Sequence, residues 1–221
     1  MKRNKRTKQV NYSFNKAIDF LKENKKTKFI ETIETSIHLN ISPSRKNINL
    51  KGYSLLPNCI YKSYNIAAFI TDVNKINNTN NNIKIITEND LSAITKKNID
   101  FNLLITDHTS IIKIGKLSKI LNSKKLMPDI RYGTITDNIN DTVDKFKKNY
   151  VKFKTDKNNI IHCVIGKLDL DTDKLKENIE MLIYDIKKQK PKDCKNMSID
   201  KIYISSTMGA GIKINMKSLT I

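Results

Sequence analysis

The chain has 221 residues and a formal charge of +19, from 41 basic and 22 acidic side chains, which leaves room for one large or two small domains. Its hydrophobic share of 38% is low but enough for a packed core, so wholesale disorder is excluded. No apolar run approaches the ~18–20 residues that span a bilayer. Lys, Ile and Asn fill 99 positions, a skew that reflects A/T-rich codons before it reflects function. Such bias does not explain the shortage of acids, and a pI near 9.7 is the footprint of a polyanion-binding surface. The N-terminus holds five basic residues in its first ten with no apolar segment behind them, so it does not read as a secretory signal. The few Arg and the lack of a Ser-rich amphipathic stretch disfavour an organellar transit sequence. Cys59, Cys163 and Cys194 are odd in number and widely spaced, fitting neither a disulfide framework nor a metal site.

In chain order, residues 1–12 form a basic tail suited to touching phosphate without reading sequence. Ser13 is placed to cap a helix reaching Asn24, with Ala17, Ile18 and Leu21 on one face. Lys28–Leu39, KFIETIETSIHL, reads as a strand. Ile33, Thr35, Ile37 and Leu39 share one side of it, and Thr32, Glu34, Ser36 and His38 the other. Ser42-Pro43-Ser44 and Pro57-Asn58 mark loops.

From residue 61 the texture changes. Buried strands in YNIAAFI, IKII and DFNLLIT alternate with helices at Asp90–Lys97 and Ser110–Leu121, and the run NNTNNN at 77–82 is a loop. After residue 149 a hairpin is expected from Val151–Thr155 and Ile160–Ile165. A strong helix follows over Asp173–Lys190, then strands at Lys201–Ser205 and Ile212–Met216. The flanks resemble each other in composition. The fold class is therefore α+β: a discontinuous domain over 1–60 and 150–221, interrupted by an inserted α/β domain over 61–149.

Signals for catalysis are weak. His38, His108 and His162 have no metal-type spacing, and His162 in IIHCVIG reads as a hydrogen-bonded structural residue. Neither GxxxxGK[ST] nor GxGxxG occurs. Asp169, Asp171 and Asp173 lack the glycine and terminal glutamate of a calcium loop and suit helix capping better. Cys163 and His162 point to opposite faces of a strand, which rules out a dyad. No catalytic residue, metal or cofactor is expected. The segment Ser206-Thr207-Met208-Gly209-Ala210-Gly211 stands apart, holding two of only six glycines. A turn that offers hydroxyls, backbone N–H groups and an apolar tip suits ribose 2′-hydroxyls and bases.

LMPDIRYGTIT (126–136), DKNNIIHCVIGK (156–167), LKENIEMLI (175–183) and KIYISSTMGAGIKIN (201–215) resemble the L-one family of large-subunit ribosomal proteins. KFIETIET (28–35) and NINLKGYSLLP (47–57) are similar to that family's first strand and following loop. The resemblance implies a split RNA-binding domain with a Rossmann-like insertion. It also implies binding to the stalk helices of large-subunit rRNA beside the tRNA exit site, contact with E-site tRNA during its release, and repression of the protein's own operon mRNA. Such a protein acts as a monomer within a cytoplasmic ribosome, without a membrane, an organellar ribosome being the lesser option.

Carried onto this chain, the RNA surface comprises Lys28, Phe29, Thr32, Glu34, His162, Lys167, Ser206, Thr207, Met208 and Gly209. Thr32 and Thr207 are expected on one face. Phe29 falls on the opposite parity from Thr32, so either the strand starts after it or a bulge intervenes. The chain departs from the family at Asn122–Lys125 and Asp129-Ile130, and in its shortened, Asn-rich middle. Two rivals stand beside this reading: an α/β enzyme on a basic scaffold, and a free translational regulator outside the ribosome.

Overall fold

The computed structural model describes residues 11–40, 50–58, 64–70, 83–87, 99–190 and 197–219. It is mixed α and β and partitions into two compact units. Unit 1 comprises Met1–Leu50, Leu56–Ile60 and Phe153–Ile221, and unit 2 comprises Lys51–Leu55 and Tyr61–Lys152. Among the described residues no helix is long and apolar enough to cross a membrane.

In unit 1 the strands β1 (Thr32–Asn40), β7 (Ile160–Lys167), β8 (Ser198–Ser206) and β9 (Ile212–Ile214) form an antiparallel sheet ordered β7-β1-β8-β9. The first strand thus lies inside, and its alternation decides what the sheet buries. Ile33, Thr35, Ile37 and Leu39 are buried, whereas Thr32, Glu34, Ser36 and His38 are not. Ile202, Ile204, Ile161, Cys163 and Ile165 are buried with them. Burial pushes the Cys163 thiol up to about 12, so it stays protonated and unreactive at neutral pH.

The helices α1 (Phe14–Glu23) and α5 (Thr172–Lys188) pack against this sheet and each other, α1 on β8 and β9 and α5 on β7. Ser13 occupies the N-cap position of α1 but its side chain makes no capping bond; the Phe14 N–H is satisfied by Ser218 Oγ at 3.2 Å. At α5, Asp171 sits at the N-cap without a capping bond and pairs with Lys174 at 2.8 Å.

Unit 2 is built on a parallel three-stranded sheet, order β4-β3-β5, from β3 (Ile66–Phe69), β4 (Ile83–Ile86) and β5 (Leu103–Thr106). β3 and β5 are buried along their whole length, as a sheet covered on both faces requires. Ile66, Ala68, Leu103 and Ile105 pack against Ile139, Val143 and Phe146 of α4 (Ile139–Asn149). Ala67, Phe69 and Leu104 pack against Ile114 and Leu121 on the other side.

The structure corrects several expectations. The first strand starts at Thr32, not Lys28, so Phe29 precedes it and its parity carries no meaning. The helix expected over Ser110–Leu121 is α2 (Ile111–Ile114), a 3₁₀ turn at Gly115–Leu117, and α3 (Ser118–Ser123), broken where Gly115 weakens the helix. The expected hairpin between residues 151 and 165 does not form as a ladder. β6 (Tyr150–Lys154) pairs with β2 (Lys51–Leu55); just past its end Thr155 bridges Ile161 and the Asp156 N–H donates to the Ile160 carbonyl at 2.9 Å, so the turn closes but the two strands part beyond it. β2 and α4 are elements that the sequence reading passed over. The helix expected at 90–97 and the loops at 42–44 and 77–82 lie outside the described residues.

Candidate nucleic-acid interface

The site forms where the approach to β1 meets the end of β8. Between α1 and β1 the chain runs without regular structure through Thr27 and a bend at Lys28 and Phe29. It delivers Glu31 into the molecule with 1% exposure. The Thr27 hydroxyl donates to Glu31 Oε1 at 2.7 Å, and the Met208 N–H donates to Glu31 Oε2 at 3.2 Å. The Ser206 hydroxyl is a third donor to this carboxylate. These hydroxyls and the Met208 amide, with Lys25 adding a smaller attraction, hold the carboxyl below its ordinary value against the opposing effect of burial. The Glu31 carbonyl accepts from the Leu168 N–H at 2.9 Å, which ties the same residue to the end of β7.

Ser206–Gly209 is a tight turn closed by the Gly209 N–H on the Ser206 carbonyl at 3.1 Å. The register β1–β8 ends at Ile33 opposite Ser206. One residue beyond, the Thr207 hydroxyl accepts from the Thr32 N–H at 3.1 Å and lies 3.3 Å from the Thr32 carbonyl as donor. A side chain therefore continues the ladder past the strand end, and the turn cannot swing away from β1. Thr32 and Thr207, separated by 175 positions in sequence, meet directly.

Gly209 is demanded by close approach and not by a left-handed conformation. A Cβ there would lie 2.3 Å from Ser206 Oγ and 3.3 Å from Leu21 Cδ2, whereas one at Gly211 would meet nothing within 4 Å. Gly209→Ala is expected to displace the Ser206 hydroxyl from Glu31 and reopen the turn. The variant should melt only a few degrees below the parent, because the change is confined to the turn. Gly211→Ala serves as the neutral control.

Around the turn three large apolar side chains face solvent: Met208 at 72% exposure, Phe29 at 54% and Ile30 at 50%. Such a cluster on a polar-rimmed frame has the composition of a contact surface. Lys28 is exposed beside Phe29, and Lys167 lies across the ladder from Thr32. Glu34 is exposed one step further along the strand face, opposite Val164 and Ser205. Two residues of the expected set differ from the rest. Ser206 is buried and turns to Glu31, so its role is to shape the turn. His162 lies opposite Ser36, four residues along β1 from Thr32, so it belongs to the open sheet face and not to the turn. Its Nδ1 is 3.2 Å from Ser36 Oγ and its Nε2 3.7 Å from Asp156. The Asp156 carboxyl is held below its ordinary value, chiefly by the Ile160 N–H.

The sequence reading missed Glu31 and Thr27. The signal lay in the alternation, since Glu31 is in phase with the inward residues Ile33, Thr35 and Ile37. A carboxylate at an inward position needs dedicated donors.

A net charge of +19 together with an exposed, hydrogen-bonded turn fits the class of binding proteins whose partner is a polyanion. The family model described as the ribosomal protein L1p/L10e family matches residues 21–210, and the chain belongs to that family. It is thus a ribosomal protein of the large subunit that binds rRNA, in a family of structural ribosomal proteins and not of enzymes.

Proposed function

We propose that the chain binds the stalk helices of large-subunit rRNA beside the tRNA exit site through a discontinuous domain of residues 1–60 and 150–221. In this reading residues 61–149 are an inserted Rossmann-like domain. The protein assists release of deacylated tRNA from the E site and represses translation of its own operon through a stalk-like fold in the mRNA. It works as a monomer in a cytoplasmic ribosome.

The observation that supports this most is the Thr32–Thr207 clasp, stiffened by Glu31. It fixes the spacing of Phe29, Thr32, Thr207, Met208 and Gly209 before any ligand arrives, which lowers the ordering entropy of binding. Lys28 and Lys167 supply phosphate attraction, and Glu34 and the turn supply acceptors and donors for 2′-hydroxyls. The basic tail adds a sequence-independent, salt-sensitive component.

Thr207→Val combined with Met208→Ala tests the reading. The valine leaves the Thr32 N–H without its acceptor, and the alanine removes the apolar tip. Affinity for an RNA carrying the stalk helices should fall by about 1–3 kcal/mol. Filter binding at fixed salt reads this directly, and an unchanged Kd would sink the assignment. Competition between stalk RNA and the protein's own leader mRNA tests the regulatory arm: mutual displacement supports one shared site.

A further inference from the structure

The open face of the unit 1 sheet carries a second group of residues that the turn does not use. Directly paired residues on neighbouring antiparallel strands project to the same side. The register sets Ser36 beside both His162 and Tyr203, His38 beside Ile160 and Lys201, and Tyr203 beside Lys213. All of these lie on the face opposite the buried residues Ile33, Ile37, Ile202 and Ile204. His38 and Tyr203 stand on the two inner strands, β1 and β8, with ring centroids 5.3 Å apart and planes inclined at 57°. Lys201 is 44% and His162 61% exposed by side chain.

We propose that this face binds single-stranded RNA, with unpaired bases stacking on His38 and Tyr203 and the phosphates running along Lys201 and Lys213. Aromatic rings on the inner strands of a four-stranded antiparallel sheet, with helices behind it, form a stacking platform that accepts any base. The inclination of the rings means that a base lying flat on one meets the other at its edge, a favourable aromatic arrangement. Lys201, which pairs with Asp200 at 3.2 Å, and Lys213 flank the rings, whereas Glu34 lies two positions from Ser36 toward the turn and repels phosphate from that end. The backbone of the strand is therefore directed along the lysine side. Stacking of this kind needs bases free of a duplex, so the platform's natural occupant is a loop or unwound segment.

The inference rests on the proposed role of unit 1 in RNA binding but uses residues separate from the turn. The chain has no tryptophan, so Tyr203→Trp in the full-length protein places a lone, selectively excitable tryptophan on the platform. Titration with oligouridylate is expected to quench it saturably. His38→Ala with Tyr203→Ala should weaken oligouridylate binding about tenfold to a hundredfold. The same variant should leave affinity for the stalk-helix RNA within about twofold, and Tyr203→Phe should retain both activities. Three outcomes overturn the proposal: no quenching, oligouridylate binding unaffected by the double substitution, or equal loss of both RNAs, which would make the face mere support for the turn. Thr207→Val separates the two readings, because it should weaken stalk RNA and spare oligouridylate.

Discussion

Glu31→Ala is expected to lower affinity for stalk RNA by about a hundredfold or more, the largest loss of any single substitution at the interface. The loss is this large because one carboxylate serves three donors from two distant segments. Thr27 belongs to the approach to β1, and Ser206 and Met208 belong to the turn. Alanine takes this acceptor from the Ser206 hydroxyl and the Met208 N–H in a nearly closed space and leaves the Thr27 hydroxyl on the Phe29 carbonyl, so the turn relaxes and Met208 loses its fixed position. Glu31→Gln should fall between parent and alanine, since the amide still accepts but carries no charge.

The acid range separates the carboxylate from its amide. The carboxyl is held below its ordinary 4.5 in the folded chain. Its contribution to stability is complete above that value and disappears as pH falls through the lowered one. The gap in melting temperature between the parent and Glu31→Gln should therefore be constant at neutral pH and close in acid below 4.5. A gap that widened toward low pH would contradict the arrangement.

Asn178→Ala is expected to reduce global stability by about 2–4 kcal/mol, the largest folding effect of a single polar substitution. Asn178 is fully buried on the apolar face of α5 among Leu175, Ile179 and Leu182. Its Nδ2 donates to the Ile165 carbonyl at 2.8 Å, and its Oδ1 accepts from the Asn58 N–H at 2.9 Å. Ile165 is the extra residue of a β-bulge, because Ile33 pairs with Gly166 while Glu34 pairs with Val164. The bulge takes that carbonyl out of the regular ladder, and the amide of Asn178 satisfies it. The bulge also sets where Lys167 falls against Thr32, so the variant should bind stalk RNA more weakly even where it is folded. Chemical denaturation gives the stability, and Asn178→Leu, which fills the volume without the hydrogen bonds, should recover little of it.

Local pattern made much of the chain legible. The period-two alternation of β1 and the period-3.6 stripe of α5 each reflect a single element with one dry face, and each emerged with the expected residues buried. The turn at 206–209 was legible because glycines are scarce in this chain and its neighbours carry hydroxyls. Gly209, however, owes its place to Ser206 Oγ and Leu21 and not to a positive φ, and neither contact can be read from spacing. α4 escaped because polar and charged residues surround Ile139, Val143 and Phe146, leaving a narrow stripe.

The sequence by itself determined the elements with strong periodicity, the positive charge and the composition of the turn, since these depend on residues only a few positions apart. Only the tertiary structure decided that β6 joins β2, that Asn178 serves a bulge, and that Glu31 holds a turn whose amide lies 177 residues further along the chain. The physical reason is that a buried polar group must find a partner somewhere in the fold. Which partner it finds is set by chain crossings and register, and these have no local signature.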